Sequence, residues 1–302
     1  GLFIKLMERK IPNNLLTLLE RWFKLGYTCV MWRSVFSRFF KLSCGIRQGG
    51  VLSPYLFAVY IDSVVNKIRN SSGIGCHIGN ECFSIIVYAD DILLLAPSVT
   101  AFEQLLHICE LELEWLDMAI NANKSACLRI GPHYQTECAN IVTINGSVLK
   151  WTDSIRYLGV YVTTANCFKC VFENAKRTFY KSANNIFGKV GRVASEEVVL
   201  RLIQSKCMPC MLYCLEACPV NKTQTNSLQF AVTSFMMKLF KTRSKEIVNE
   251  CMSAFNFQSV SVAVSRRKLN FLANFRCSNN KLCSIFSDTA SKELLNVSET
   301  LR

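Results

Sequence analysis

No stretch of this 302-residue chain reaches the ~18 consecutive apolar residues that a membrane-spanning helix needs. Its most apolar run, Ile85 to Ala96, is interrupted by Asp90 and Asp91, so no membrane partner is expected. Gly1 stands where a start methionine would, and nothing near it has the charged, then apolar, then small-residue order of a secretion signal. The start therefore reads as truncated. Internal repeats and low-complexity tracts are lacking too, and a hydrophobic content of 50% excludes disorder as the default. Acidic residues are scarce at the start: residues 1–61 hold no aspartate, and their only acids are Glu8 and Glu20.

What is present is basic. The formal net charge is +13, and it is unevenly placed. Nine Lys/Arg face two acids over residues 1–61, five face ten over 62–150, and twenty-one face ten over 151–302. Basic flanks around an acidic middle draw polyanions, so nucleic acid is the first partner to consider and an anionic membrane surface the second, and charge alone does not choose between them. Sixteen cysteines lie mostly inside apolar runs, where a reduced thiol behaves as a small hydrophobe. That favours a reducing, intracellular compartment, in cytoplasm or nucleus. The Cys-x-x-Cys pairs Cys167/Cys170 and Cys207/Cys210 have zinc-ligand spacing. The second pair continues as Cys214 and Cys218 beside Met211, Leu212 and Leu215, which reads better as core packing.

Periodicity gives an α+β order. Pro12 to Lys24 is an amphipathic helix closed by Gly26. Tyr27 to Trp32 and Val35 to Leu42 form a hairpin broken at Arg33-Ser34. A loop over residues 45–50 leads to Ser53-Pro54, read as N-cap and first helical position. The helix that follows carries an apolar face from Leu56 to Ile68. A second helix is expected from Thr100, with a capping box closed by Glu103, to about Ile120. Between the two, Phe83 to Ala89 and Ile92 to Ala96 read as a hairpin buried on both faces and joined by Asp90-Asp91. Short strands are expected at Lys124 to Ile130, Ile141 to Ile144 and Tyr157 to Val162. Beyond residue 168 the pattern is helical, with helices at about 196–217 and 224–241.

Two adjacent carboxylates at the tip of an apolar hairpin repel one another and lose hydration. A divalent cation such as Mg2+ offsets both costs; a plain Asp-containing turn has the same sequence pattern. Taken by itself, Arg47-Gln48-Gly49-Gly50 is a Gly-rich turn before a helix, and Lys124 an exposed lysine.

The motifs together resemble reverse transcriptases of the non-LTR (LINE-type) retrotransposon class. Tyr88-Ala89-Asp90-Asp91 resembles the catalytic motif and Arg47-Gln48-Gly49-Gly50-Val51-Leu52-Ser53-Pro54 the preceding nucleotide- and template-contacting motif. Ile120-Asn121-Ala122-Asn123-Lys124-Ser125 resembles the lysine-bearing motif, and Tyr157-Leu158-Gly159-Val160 the primer-grip motif. All four stand in family order, and the resemblance covers residues 1–245. It implies a right-hand polymerase palm, an antiparallel sheet packed on helices, over 1–165, an all-helical thumb-like region over 166–245 and a helical tail over 246–302.

The resemblance also implies template-directed nucleotidyl transfer with two Mg2+ ions, an RNA template, a DNA primer and deoxynucleoside triphosphates. Asp90 and Asp91 would bind metal, and Lys124 would act as general acid for the leaving pyrophosphate. Arg47, Gln48, Gly49 and Gly50 would contact nucleotide and template, with Gly50 standing where relatives often carry another small residue. Tyr157, Leu158 and Gly159 would position the primer, and Arg177, Lys181 and Arg192 would track the duplex backbone. A further catalytic aspartate belongs upstream of the first helix, together with fingers and, elsewhere in the element, an endonuclease. Residues 1–61 supply no such aspartate, so this chain alone is expected to be inactive. The alternative is a non-catalytic nucleic-acid-binding remnant of a decayed element. A palm-like signalling cyclase does not explain the Arg-Gln-Gly loop or the lysine motif.

Overall fold

The computed structural model describes residues 1–42, 49–71, 73–191 and 193–300. They fall into two compact units, Gly1–Cys127 with Glu137–Trp151, and Leu128–Thr136 with Thr152–Arg302. Both helix and strand are present, the strands in small, mainly antiparallel sheets, with helices dominating after residue 172. This is the expected α+β class. Among the described residues no helix is long and apolar enough to cross a membrane.

The first unit begins with α1 (Leu2–Glu8) and α2 (Asn13–Lys24). Leu6 of α1 and Leu16 and Leu19 of α2 share a small core with Leu56 and Val59. Lys5, which sequence reasoning passed over, is buried. Its ammonium donates to the Tyr60 carbonyl and to Ser63 Oγ at 2.7 Å, and lies 5.4 and 5.5 Å from the Tyr60 and Trp115 ring centroids. Burial lowers its pKa below the usual lysine value.

The hairpin predicted next is present as four short strands, β1 (Tyr27–Thr28), β2 (Met31–Trp32), β3 (Val35–Phe36) and β4 (Phe40–Lys41). Met31 pairs with Phe36 and Tyr27 with Lys41. Arg33 and Ser34 both take positive φ, 45° and 67°, as the two-residue turn of a right-twisted hairpin requires. Every residue from 30 to 41 is exposed, Trp32 by 75% and Phe39 by 73%.

Next come α3 (Ser53–Arg69), the hairpin β5 (His77–Ile78) and β6 (Glu81–Cys82), the hairpin β7 (Ile85–Tyr88) and β8 (Asp91–Leu94), and α4 (Val99–Trp115). Two cap assignments are corrected. Leu52, not Ser53, is the N-cap of α3, with no side-chain cap; the Ser53 N–H donates instead to the Gly50 carbonyl at 3.2 Å. Ser98, not Thr100, caps α4, its Oγ accepting from the Ala101 N–H at 3.2 Å. The helix also stops at Trp115 rather than near Ile120. Asp117 enters the left-handed region at φ 55°, the Met118 N–H bonds the Leu113 carbonyl and the Asp117 N–H bonds the Glu114 carbonyl. That double closure ends a helix without glycine. The unit is completed by β9 (Ala126–Cys127), β10 (Ile141–Val142) and β11 (Val148–Trp151), with β11 antiparallel to β10 and parallel to β9. Glu110 of α4 accepts from the Ile144 N–H at 3.0 Å.

The second unit opens with an antiparallel sheet of β12 (Ser154–Tyr157), β13 (Val160–Thr163) and β14 (Lys169–Val171). The single strand read over Tyr157 to Val162 is in fact two strands and a turn. Helix α5 (Glu173–Val190) follows, with Phe179 and Ala183 on its buried face. The helix expected over 196–217 is interrupted: α6 (Glu196–Leu202) passes through a π-helical turn, Ile203–Cys207, into α7 (Met208–Met211). Pro209 has no N–H to continue the i to i−4 ladder, so the backbone widens just before it.

The rest is α8 (Lys222–Leu239), α9 (Lys245–Ala254), α10 (Val260–Arg276), α11 (Lys281–Ile285) and α12 (Ser287–Thr300). Asn221 and Gln224 close a full capping box on α8. Val248, Met252, Phe257 and Val260 lie in the same core as Phe179, Met211 and Phe235, so residues beyond 246 are part of this unit. Cys170 and Cys207 are in that core too, while Cys167 and Cys210 are exposed.

Candidate functional site

The acidic pair is placed by the β7–β8 register. Ile85 faces Leu94, Ile86 faces Leu93, Val87 faces Ile92 and Tyr88 faces Asp91. Opposed residues share a face and faces alternate along a strand. Ile85, Val87, Ile92 and Leu94 accordingly pack on Ile61, Val64 and Ile68 of α3 and Leu105, Cys109 and Leu113 of α4. The hairpin is covered by these helices on that face, and Ile86 and Leu93 on the other remain half-buried. Asp91 belongs to this second face, in the ladder opposite Tyr88. The turn is therefore Ala89-Asp90 and not Asp90-Asp91.

Ala89 takes φ 52°, a conformation that costs a residue with a Cβ about 1 kcal/mol or more. Asp90 and Asp91 are both exposed, so the loss of hydration expected for this pair does not occur. Two adjacent, hydrated carboxylates are hard oxygen donors of the kind a divalent cation takes while keeping several of its waters. Among the described residues no group of three or more His, Cys, Asp or Glu side chains is arranged to hold a metal.

The base of this hairpin rests on a contact that no motif predicted. Ser84 is fully buried; its Oγ accepts from the Cys76 N–H at 2.8 Å, and its carbonyl accepts from the Leu95 N–H at 2.8 Å. Gly75 lies against it at φ +104°, where an added Cβ would stand 1.9 Å from Ser84 Oγ. Glycine is required there twice over, by conformation and by space.

Of the loop before α3, Arg47 and Gln48 lie outside the described residues. Gly49 takes φ +78°, with nothing among the described residues within 4 Å of its Cβ direction. Lys124 is exposed at the end of a turn in which its N–H donates to the Asn121 carbonyl at 3.0 Å. It precedes β9 in the same unit as Asp90.

In the second unit, Leu158 and Gly159 form the turn between β12 and β13, at φ 46° and 85°, with Tyr157 paired to Val160. Both central residues at positive φ define a type I′ hairpin turn. The Tyr213 hydroxyl donates to the Leu158 carbonyl at 3.1 Å. Its ring lies so close to Gly159 that a Cβ there would stand 3.0 Å from Tyr213 Cε1. On α5, Arg177 and Lys181 are exposed and one turn apart, away from Phe179 and Ala183; Arg192 lies outside the described residues. Tyr213, Ser84 and Gly75 had no motif to mark them. Only the glycine in Gly73-Ile74-Gly75 carried a faint turn signal.

Comparison with known proteins places the chain. It belongs to the reverse transcriptase (RNA-dependent DNA polymerase) family, whose model matches residues 1–162. It is 26% identical over 178 residues to a retrovirus-related Pol polyprotein from the type-1 retrotransposable element R2 of Popillia japonica, covering 57% of this chain and 24% of that protein. The Pol polyprotein from the type-2 retrotransposable element R2DM of Drosophila melanogaster is 25% identical over 166 residues, 53% of this chain and 16% of the relative. The RNA-directed DNA polymerase from mobile element jockey of Drosophila funebris is 30% identical over 144 residues, 46% of this chain and 15% of the relative. These relatives agree with the non-LTR resemblance read from the motifs. The chain spans about a quarter or less of the length of the curated relatives it matches.

Proposed function

We propose that this chain is the palm and thumb-like part of a non-LTR retrotransposon RNA-directed DNA polymerase, which joins deoxynucleotides to a DNA primer on an RNA template. In this reading residues 1–165 make the partial palm, 166–245 the thumb-like region, and 246–302 a helical tail. The observation that carries it is the Tyr88-Ala89-Asp90-Asp91 hairpin: a strained turn and the adjacent ladder position present two hydrated carboxylates, on a chain that belongs to the reverse transcriptase family.

Asp90 and Asp91 are the residues that would hold Mg2+. The chemistry it supplies when bound is activation of the primer hydroxyl and neutralisation of the departing pyrophosphate. Lys124 would deliver a proton to that leaving group. Arg47, Gln48, Gly49 and Gly50 would line the nucleotide and template, Tyr157, Leu158 and Gly159 the primer, and Arg177, Lys181 and Arg192 the duplex backbone. In the full element, fingers and endonuclease regions would accompany these parts. Residues 1–61 hold no aspartate, so a further metal-binding carboxylate would come from outside them, and this chain alone would not extend primers.

Iron-directed cleavage tests the metal site without needing turnover. Fe2+ with ascorbate and peroxide should cut the purified chain beside Asp90-Asp91, Mg2+ should compete, and Asp90→Asn should abolish the cut. Cleavage at unrelated positions, unaffected by Asp90→Asn, would overturn the assignment. Primer extension by the wild-type chain with Mg2+ would refute the proposed inactivity.

A further inference from the structure

Tyr213 is reached by no motif, yet it holds the turn that the reading above assigns to the primer. It follows α7 in a short run whose Leu212 and Leu215 are buried in the helical core. Two residues beyond Cys214, Glu216 is gripped by Arg267 of α10, Oε2 accepting from Nε at 3.1 Å and Oε1 from an Nη at 2.8 Å. The stretch carrying Tyr213 is thus fixed from the core on one side and by a bidentate ion pair on the other. The ring itself is half exposed and reaches the β12–β13 turn, with its hydroxyl on the Leu158 carbonyl and its edge against Gly159.

The consequence lies in one peptide plane. The peptide joining Leu158 and Gly159 is trans, as no cis bond is present among the described residues, so its C=O and N–H point in opposite directions. Anchoring the Leu158 oxygen on Tyr213 sends the Gly159 N–H away from Tyr213. Within a type I′ turn the hairpin ladder uses the N–H of Val160, opposite Tyr157, and not that of Gly159. Leu158 meanwhile sits at φ 46°, a strained conformation that persists where its surroundings over-determine it.

We propose that Tyr213 is a positioning residue: it sets the Leu158–Gly159 peptide so that the Gly159 N–H is presented to a backbone phosphate near the primer 3′ end. This rests on the assignment of Tyr157-Leu158-Gly159 as the primer-contacting turn. The tail helix α10 acquires a role through it, since Arg267 steadies Glu216 and with it the Tyr213 segment.

The test measures binding of the full chain to a fluorescent RNA–DNA primer–template with a recessed 3′ end, against a blunt duplex of equal length. Each is made with normal phosphates and with single methylphosphonates near the primer terminus. The unsubstituted chain should prefer the recessed end and lose affinity when one terminal phosphate is neutralised. Tyr213→Phe keeps the ring and removes the hydroxyl. It should lower recessed-end affinity by roughly three- to tenfold and erase the sensitivity to that methylphosphonate, with blunt-duplex affinity and thermal midpoint unchanged. Tyr213→Leu should lose at least as much. Retention of full methylphosphonate sensitivity by Tyr213→Phe would overturn the proposal. An unsubstituted chain that does not distinguish recessed from blunt ends fails earlier, and overturns the primer assignment of the turn together with the inference built on it.

Discussion

Adding a single methyl group at Gly75 should be among the most damaging changes available to the first unit, because it strikes the base of the acidic hairpin. Three costs combine. At φ +104° an alanine is held far from its allowed basins, at about 1–3 kcal/mol. Its Cβ would stand 1.9 Å from Ser84 Oγ and 2.7 Å from Ser84 Cβ, and relieving that overlap by backbone shift costs about 1–3 kcal/mol. Displacing Ser84 Oγ also strips the Cys76 N–H of its acceptor, for about 1–3 kcal/mol. The costs overlap, since a shift that relieves the clash also breaks the hydrogen bond. Gly75→Ala should therefore destabilise by about 3–5 kcal/mol, a large part of a domain's whole stability.

Urea unfolding of the full chain, followed by circular dichroism, reads this directly. Ser84→Gly removes both clashing atoms, so it should cost about 1–3 kcal/mol alone and then make Gly75→Ala cheaper by about 1–3 kcal/mol in the double variant. Strict additivity, or a loss below about 1 kcal/mol for Gly75→Ala, would show that Gly75 and Ser84 do not make the contact described. The same variant should blur iron cleavage at Asp90, because Leu95 is bonded to the Ser84 carbonyl at the foot of β8.

Arg177→Ala and Lys181→Ala should each reduce the slope of log affinity against log salt for duplex by about 0.7–0.9; an unchanged slope removes that residue from the backbone-tracking face. Burial pushes the thiols of Cys109 and Cys218 up to about 12 and those of Cys127 and Cys207 up to about 11. Because an unfolded thiol releases its proton near pH 8.5, the stability these groups contribute is intact below that pH and is lost as pH climbs towards their folded values. Urea midpoints should fall above about pH 9, and a flat profile to pH 10 would contradict the buried, protonated thiols. Exposed Trp32 and Phe36 should drive self-association, and Trp32→Ser with Phe36→Ser should weaken it roughly tenfold or more by sedimentation. Unaltered sedimentation would show that the hairpin is not the contact.

Legibility followed the range of the interaction that fixes each feature. The β1–β4 hairpin was readable because Arg33-Ser34 is a local break between aromatic runs; the start of α8 was set about two residues late because its Asn221–Gln224 capping box went unread. The ends of α4 were misread for a related reason: Thr100 and Glu103 have the spacing of a capping box, yet Ser98 captures the cap two residues earlier. A Schellman closure at Asp117 then ends the helix where polarity alone shows no stop. The acidic turn was placed one residue too late in the chain, and its burial was inferred from the hydrophobicity of β7 and β8 as if both faces were covered. Strand register assigns the apolar residues Ile85, Val87, Ile92 and Leu94 to the helices and leaves Asp91 on the other face, and register is a pairing property that one strand's composition does not contain.

Tyr213 marks the far end of this scale. It stands 55 residues from Leu158, in a segment whose sequence reads only as more helix, and its meaning depends on a turn, a π-helical interruption and an ion pair from α10 acting together. The motifs that resemble the reverse transcriptase family are short, local stretches of sequence. What holds those motifs in shape is drawn from distant chain, and on this protein it is the holding residues, Ser84, Gly75 and Tyr213, that the structure adds.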